Sequence, residues 1–195
     1  MNICVYGAAS TAIDKKYIEL TEKFGERLAK DGHHLVYGAG DNGLMGAVAR
    51  GFHKGGGKIV GVAPSFFKVD GVLFPHCTEL IRTETMRQRK QIMEDKADAF
   101  IMVPGGIGTF DEFFEILTLK QLGRHTKPII IFNQYGYYDS LLNLLDNTIK
   151  GRFMSEQSRK LWGVFDNEDE LVNYLDNYKP EEFDIYALKE IDNGK

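Results

Sequence analysis

The sequence predicts an α/β protein, on three observations: short runs that are almost wholly apolar, amphipathic segments of helical length between them, and two glycine-rich stretches that directly follow such runs. Strands exposed on one face alternate apolar with polar residues. Near-continuous apolar runs instead mark strands of a parallel sheet covered on both sides. Helices joining parallel strands provide right-handed crossovers and supply that cover. The expected architecture is a doubly wound, mostly parallel, Rossmann-like sheet with helices on both faces.

Taken in order, the predicted strands are 3–6, 35–37, 59–62, 99–103, 129–132 and 161–165, the last running from Leu161 to Phe165. Segments with helical spacing lie near 14–30, 43–54, 85–97, 109–121, 137–150 and 167–177. No repeat, low-complexity tract or linker interrupts the alternation. The chain of 195 residues is in the single-domain range. One domain is expected over 1–177, followed by a charged tail, 178–195, outside the core.

Composition excludes several classes of function. Apolar residues at 43% and charged residues at 27% fit a folded globular chain. The formal charge of −4 and the lack of a basic run argue against a nucleic-acid partner. No apolar stretch approaches the roughly 18 residues of a membrane span, and the start of the chain lacks a signal-peptide pattern. Two isolated cysteines, Cys4 and Cys77, form neither a disulfide framework nor a zinc cluster, and no metal site is predicted. A cytoplasmic protein with no membrane partner is expected.

In doubly wound folds ligands bind at the carboxyl edge of the strands, so the loops there carry the chemistry. The first glycine-rich loop, Gly38-Ala39-Gly40-Asp41-Asn42-Gly43, matches GxGxxG and runs on through Leu44 and Met45 to Gly46. Glycines let a backbone approach a phosphate, and free amides of the next helix would favour its charge. Equally, they could serve a tight turn and close helix packing. A dinucleotide site also needs an acidic residue roughly 20 positions later, where this chain reads Lys58-Ile59-Val60-Gly61-Val62. A nicotinamide cofactor is therefore disfavoured.

The second loop reads Pro104-Gly105-Gly106-Ile107-Gly108-Thr109-Phe110-Asp111-Glu112. Its three glycines between a strand and a helix again make an anion cradle, with Thr109 expected as the helix N-cap. No Gly-Lys-Ser/Thr follows, which excludes a triphosphate P-loop. Thr109 and Glu112 also have the spacing of a capping box, in which the glutamate bonds back to the cap amide. The other reading of Glu112 is a partly enclosed carboxylate acting as a base or charge stabiliser, since it shares a helix side with Ile116 and Leu119.

On the helix beginning near Thr85, Arg89 falls in the apolar arc with Met86, Ile92, Met93 and Ala97, and Lys90 lies at its edge. An inward guanidinium needs an anion: a structural carboxylate, a substrate phosphate, or Glu112 itself.

Met86-x-x-Arg89-Lys90, followed by Pro104-Gly105-Gly106-x-Gly108-Thr109-x-x-Glu112, closely resembles the paired signatures of the Lonely Guy (LOG) family. The loop Gly38-Ala39-Gly40 through Gly43-Leu44-Met45-Gly46 resembles that family's earlier glycine loop, and the likeness covers roughly 1–177. It implies hydrolysis of the N-glycosidic bond of nucleoside 5′-monophosphates, such as cytokinin riboside monophosphates and AMP, to free base and ribose 5-phosphate, without a cofactor. By resemblance, Arg89 and Glu112 are the catalytic pair, and the substrate is bound by Gly38, Gly40, Gly43, Met45, Gly46, Met86, Lys90, Gly105, Gly106, Gly108 and Thr109. A homodimer is also implied. One departure concerns the first loop, where the family's usual Gly-Ser-Ser is replaced by Gly7-Ala8-Ala9-Ser10-Thr11, so that a hydroxyl contact is either missing or displaced to Ser10.

Some relatives have been labelled lysine decarboxylases, but nothing in the sequence identifies a pyridoxal-binding lysine. A non-catalytic nucleotide-binding or carrier protein on the same fold is the competing reading, because fold alone does not fix activity. Residues 64–74, rich in aromatic and apolar side chains, are expected to pack on the sheet, with a lid as the alternative.

Overall fold

The computed structural model describes residues 1–67 and 72–189. Its seven strands are β1 (Asn2–Tyr6), β2 (His34–Tyr37), β3 (Ile59–Pro64), β4 (Glu79–Thr83), β5 (Ala99–Met102), β6 (Ile129–Phe132) and β7 (Gly163–Phe165). The helices are α1 (Lys15–Lys30), α2 (Gly43–Lys54), α3 (Met86–Lys96), α4 (Ile107–Gln121), α5 (Asp139–Lys150), α6 (Glu168–Asp176) and α7 (Ile185–Lys189). Every strand pair is parallel, in the order β4-β3-β2-β1-β5-β6-β7. The order runs outward from β1 in one direction and then, from β5, in the other. This reversal is the topological switch point at which doubly wound sheets bind ligands.

The apolar runs form strands because both their faces are buried. Ile3 and Val5 pack into one core with α1, α2 and α6, while Cys4 and Tyr6 pack into the other with α3, α4 and α7. The same alternation divides Ile101 from Phe100 and Phe132 from Ile131.

Three features differ from the sequence expectation. Strand β4 is an edge strand whose outer residues are exposed, so its Glu-Leu-Ile-Arg-Thr pattern has no apolar run to reveal it. In the 161–165 run only Gly163–Phe165 is strand, because Leu161 closes a preceding 3₁₀ turn. The described part of the tail, 178–189, is not outside the core: Tyr178 Oη donates to the Thr126 carbonyl at 2.8 Å, and Leu188 on α7 is fully buried. A few apolar residues spaced along a charged segment suffice for this docking, and composition averages them away.

Candidate active site

A cleft of about 460 Å³ opens at the carboxyl edge of β1, β2 and β5, at the switch point. The loop after β1 contributes Gly7, Ala8, Ala9 and Ser10, the loop after β2 contributes Gly38 and Gly40, and the start of α4 contributes Gly106, Gly108, Thr109 and Glu112. Met45, Met86 and Arg89 also line the cleft.

Helix α3 sets Arg89. Its N-cap is Thr85, whose hydroxyl accepts from the Gln88 amide at 3.2 Å, while Gln88 Oε1 accepts from the Thr85 amide at 3.3 Å. This is a reciprocal capping box. One turn in, Arg89 is buried, and its Nε donates to the Val62 carbonyl at 3.1 Å. Its Nη1 donates to Glu112 Oε1 at 2.7 Å. A β-carbon at residue 38 would overlap the guanidinium, so Gly38 provides the channel that the arginine crosses. The anion required by an inward arginine is therefore Glu112.

The second loop departs from the expected cap. Helix α4 begins at Ile107 with Gly106 as N-cap and no side-chain cap, so Thr109 lies inside the first turn. Thr109 is buried, and its side chain occupies the space that a β-carbon on Gly105 would fill. Of the two readings of Glu112, the capping box does not form, because Thr109 is not the N-cap, and the carboxylate accepts from Arg89. The uncapped first turn opens on the cleft, with amides that lack an intrahelical acceptor. At Gly106 and Gly108 a β-carbon would meet nothing within 4 Å, so packing does not require glycine at either.

Burial raises the Glu112 carboxyl above the ordinary carboxylate range, and the Arg89 guanidinium opposes this without cancelling it. The ion pair is thus a carboxylate of raised basicity, kept near a cation, at the edge of a cavity.

Of the sequence-predicted residues, Gly38, Gly40, Met45, Met86, Arg89, Gly106, Gly108, Thr109 and Glu112 line the cleft, whereas Gly43, Gly46, Lys90 and Gly105 do not. The first glycine loop is occupied by the chain itself. The amides of Leu44 and Met45 donate to the Ala8 carbonyl at 2.8 and 3.3 Å, which removes the donors expected for an anion at α2. Gly43, at φ 58°, lets the loops after β1 and β2 touch, since a β-carbon would press on the Ala8 and Ser10 carbonyls at 2.6 Å. Lys90, itself not a lining residue, pairs with Asp111 at the cleft at 3.0 Å and with Glu115 at 2.8 Å.

Sequence reasoning did not assign Gly7, Ala8, Ala9, Asp111, Phe67, Val72 or Leu73 to the site. The last three come from the 64–74 segment, of which residues 68–71 lie outside the described residues. Its far end packs on the loop after β2, where the Asp41 amide donates to Val72 and the Phe74 amide to Ala39, both at 2.9 Å. The signal for this wall was the apolar content of the segment, but pairing partners are not readable from composition.

The fold and cleft define the class: a doubly wound α/β protein with a ligand site at its switch point, where a glycine-lined helix start faces a buried arginine–glutamate pair. The profile of the family described as "Possible lysine decarboxylase" matches residues 45–175. The chain is 36% identical over 191 residues to cytokinin riboside 5′-monophosphate phosphoribohydrolase LOG2 of Arabidopsis thaliana, covering 98% of this chain and 90% of that one. It is also 36% identical over 179 residues to cytokinin riboside 5′-monophosphate phosphoribohydrolase LOG of Oryza sativa subsp. japonica, covering 92% and 74%. The chain belongs to the Lonely Guy family. Among solved structures, the molybdenum cofactor carrier protein of Chlamydomonas reinhardtii superposes with a TM-score of 0.68 at 19% identity, covering 90% of this chain and 95% of that one, which is a likeness of fold. Among the described residues that line the cleft none is a lysine, the residue a pyridoxal Schiff base would require.

Proposed function

We propose that the protein hydrolyses the N-glycosidic bond of nucleoside 5′-monophosphates, releasing free base and ribose 5-phosphate, with N6-substituted AMP such as cytokinin riboside monophosphates as preferred substrates and AMP as a further one. The observation that carries this reading is the Arg89–Glu112 pair at 2.7 Å, on the same cleft as the uncapped, glycine-lined start of α4. The names of the relatives point to the same chemistry.

The 5′-phosphate sits on the first-turn amides of α4, where Gly106 and Gly108 leave room for its oxygens. Cleavage breaks the C1′–N bond and builds positive charge on the ribose. Glu112 stabilises that charge, binds a ribose hydroxyl or orients the attacking water, while Arg89 holds the carboxylate in position. The bond formed is C1′–O from water, and the water's proton is balanced by protonation of the departing base. Phe67, Val72, Leu73 and Met86 give the cleft an apolar side suited to a base.

We further propose a homodimer formed over α4, where Ile107 is 87% and Phe114 38% exposed. A Phe114→Asp variant should elute as a monomer in size-exclusion chromatography. Among the described residues no helix is long and apolar enough to cross a membrane. A cytoplasmic location is proposed, to which the free thiols of Cys4 and Cys77 are suited.

Chromatography of reactions with AMP and N6-isopentenyl-AMP tests the activity. Free base and ribose 5-phosphate are expected from wild type, and Glu112→Gln should slow release roughly 100-fold while still binding substrate. Binding without release of any purine base by wild type would leave a nucleotide-binding or carrier protein instead.

A further inference from the structure

Two consecutive tyrosines outside the cleft lining reach the second glycine loop from behind. Tyr137 Oη donates to the Gly105 carbonyl at 2.9 Å, and Tyr138 Oη donates to the Val103 carbonyl at 2.7 Å. Between them, the Pro104 carbonyl accepts from the Ala8 amide at 3.0 Å, and the Gly106 carbonyl accepts from Phe110 inside α4. All four successive carbonyls from 103 to 106 therefore have donors supplied by the protein.

The turn after β6 is built to deliver both hydroxyls. Tyr135 at φ 53° and Gly136 at φ 72° take left-handed conformations in succession, reversing the chain directly before the pair. A tyrosine in that region is uncommon, and the conformation persists only where its surroundings hold it. Here Asn133 holds it: its side chain accepts from the Tyr138 amide at 2.7 Å and donates to Asp139 at 2.8 Å. The Tyr138 ring is buried against Phe110 of α4. The Tyr137 ring sits edge-on to Tyr17 and Tyr138 and remains 45% exposed.

A peptide turned over in this loop would present a carbonyl oxygen to the cleft and repel an anion. We propose that Tyr137 and Tyr138 are positioning residues for anion recognition: by engaging the carbonyls of 105 and 103, they hold the loop so that it offers the cleft only donors. This rests on the reading that the start of α4 takes the phosphate of a phosphorylated ribose. The hydroxyls act through the loop and touch no ligand.

The test is calorimetric titration of ribose 5-phosphate and of adenosine into wild type and Tyr137→Phe. Tyr137→Phe keeps the ring and removes one O–H from a partly exposed position, so the fold is expected to survive. The Kd for ribose 5-phosphate should rise about fivefold, the factor that corresponds to one net hydrogen bond, while the Kd for adenosine stays within twofold. Loss of affinity for both ligands would mark a merely structural role and overturn the inference. An unchanged ribose 5-phosphate Kd, or no binding of it by wild type, would overturn it as well. Tyr138→Phe, which leaves a buried carbonyl unpaired, is read against its own melting temperature and should show the same phosphate-selective loss. Base release plays no part in these titrations, so failure of the hydrolase reading is seen separately in the chromatographic assay.

Discussion

Gly38 and Arg89 share one space: the hydrogen of the glycine faces the guanidinium, and any β-carbon there would overlap Nη2. The glycine that sequence reasoning read as part of a phosphate cradle is a passage for the arginine. Gly38→Ala should therefore act as an active-site mutation. Displacing Arg89 by about 1 Å is expected to lower kcat/KM on the order of 100-fold, with an overpacking cost of about 1–3 kcal/mol. Steady-state kinetics beside a urea melt would check both, and wild-type kinetics would contradict the geometry.

The pair also fixes a pH dependence. Burial raises the Glu112 carboxyl, so activity that needs it ionised is lost as pH falls through a value above the usual carboxylate range. Removing Arg89 removes the opposing pull, and in Arg89→Ala the acid limb of the residual kcat/KM should move to higher pH. The same shift works against folding. Between the ordinary and the raised value the folded chain holds the proton better than the unfolded chain, so ionising Glu112 subtracts stability as pH rises through that interval. A pH series of kcat/KM is the check, and an acid limb unmoved in the variant would contradict the assignment.

The three glycines before Glu112 should separate by role. Gly105→Ala would press on the Thr109 side chain and is expected to destabilise the fold. Gly108→Ala meets no atom within 4 Å and replaces a helical glycine, so it should stabilise by about 0.5–1 kcal/mol. Yet the added methyl stands where the phosphate is proposed to sit, and KM for AMP should rise at least tenfold. A stable Gly108→Ala protein with unchanged KM would place the phosphate elsewhere.

Lys120 is 1% exposed, with its ammonium 3.0 Å from Tyr178 Oη. Burial lowers its pKa from 10.5 to about 8. Between those values the unfolded chain binds more protons than the folded one, so this residue makes stability climb from about pH 8 to 10.5. Lys120→Met should be more stable than wild type at pH 7, by on the order of 2 kcal/mol, and the difference should shrink as pH rises toward 10. Urea melts at pH 7, 8.5 and 10 would show it. A constant difference would locate the effect in packing instead.

The amino-acid sequence determined the layered fold, because strands buried on two faces and helices buried on one leave periodicities that need no partner to be read. It also placed Arg89 on the apolar side of α3 and put three glycines ahead of Glu112. Edge strand β4 and the docking of Leu188 were hidden, since one carries a solvated face and the other a few anchors in a charged segment. Only the tertiary structure decided what each candidate touches. Thr109 and Glu112 had the spacing of a cap, but the helix is capped at Gly106, and Arg89 from a separate helix pairs with Glu112. Gly43 and Gly46 had the spacing of a phosphate loop, but the Ala8 carbonyl had already taken the neighbouring amides. The hydroxyls of Tyr137 and Tyr138 reach carbonyls that no local pattern links to them. Spacing along the chain proposes such contacts, and competition among groups brought together by packing selects between them.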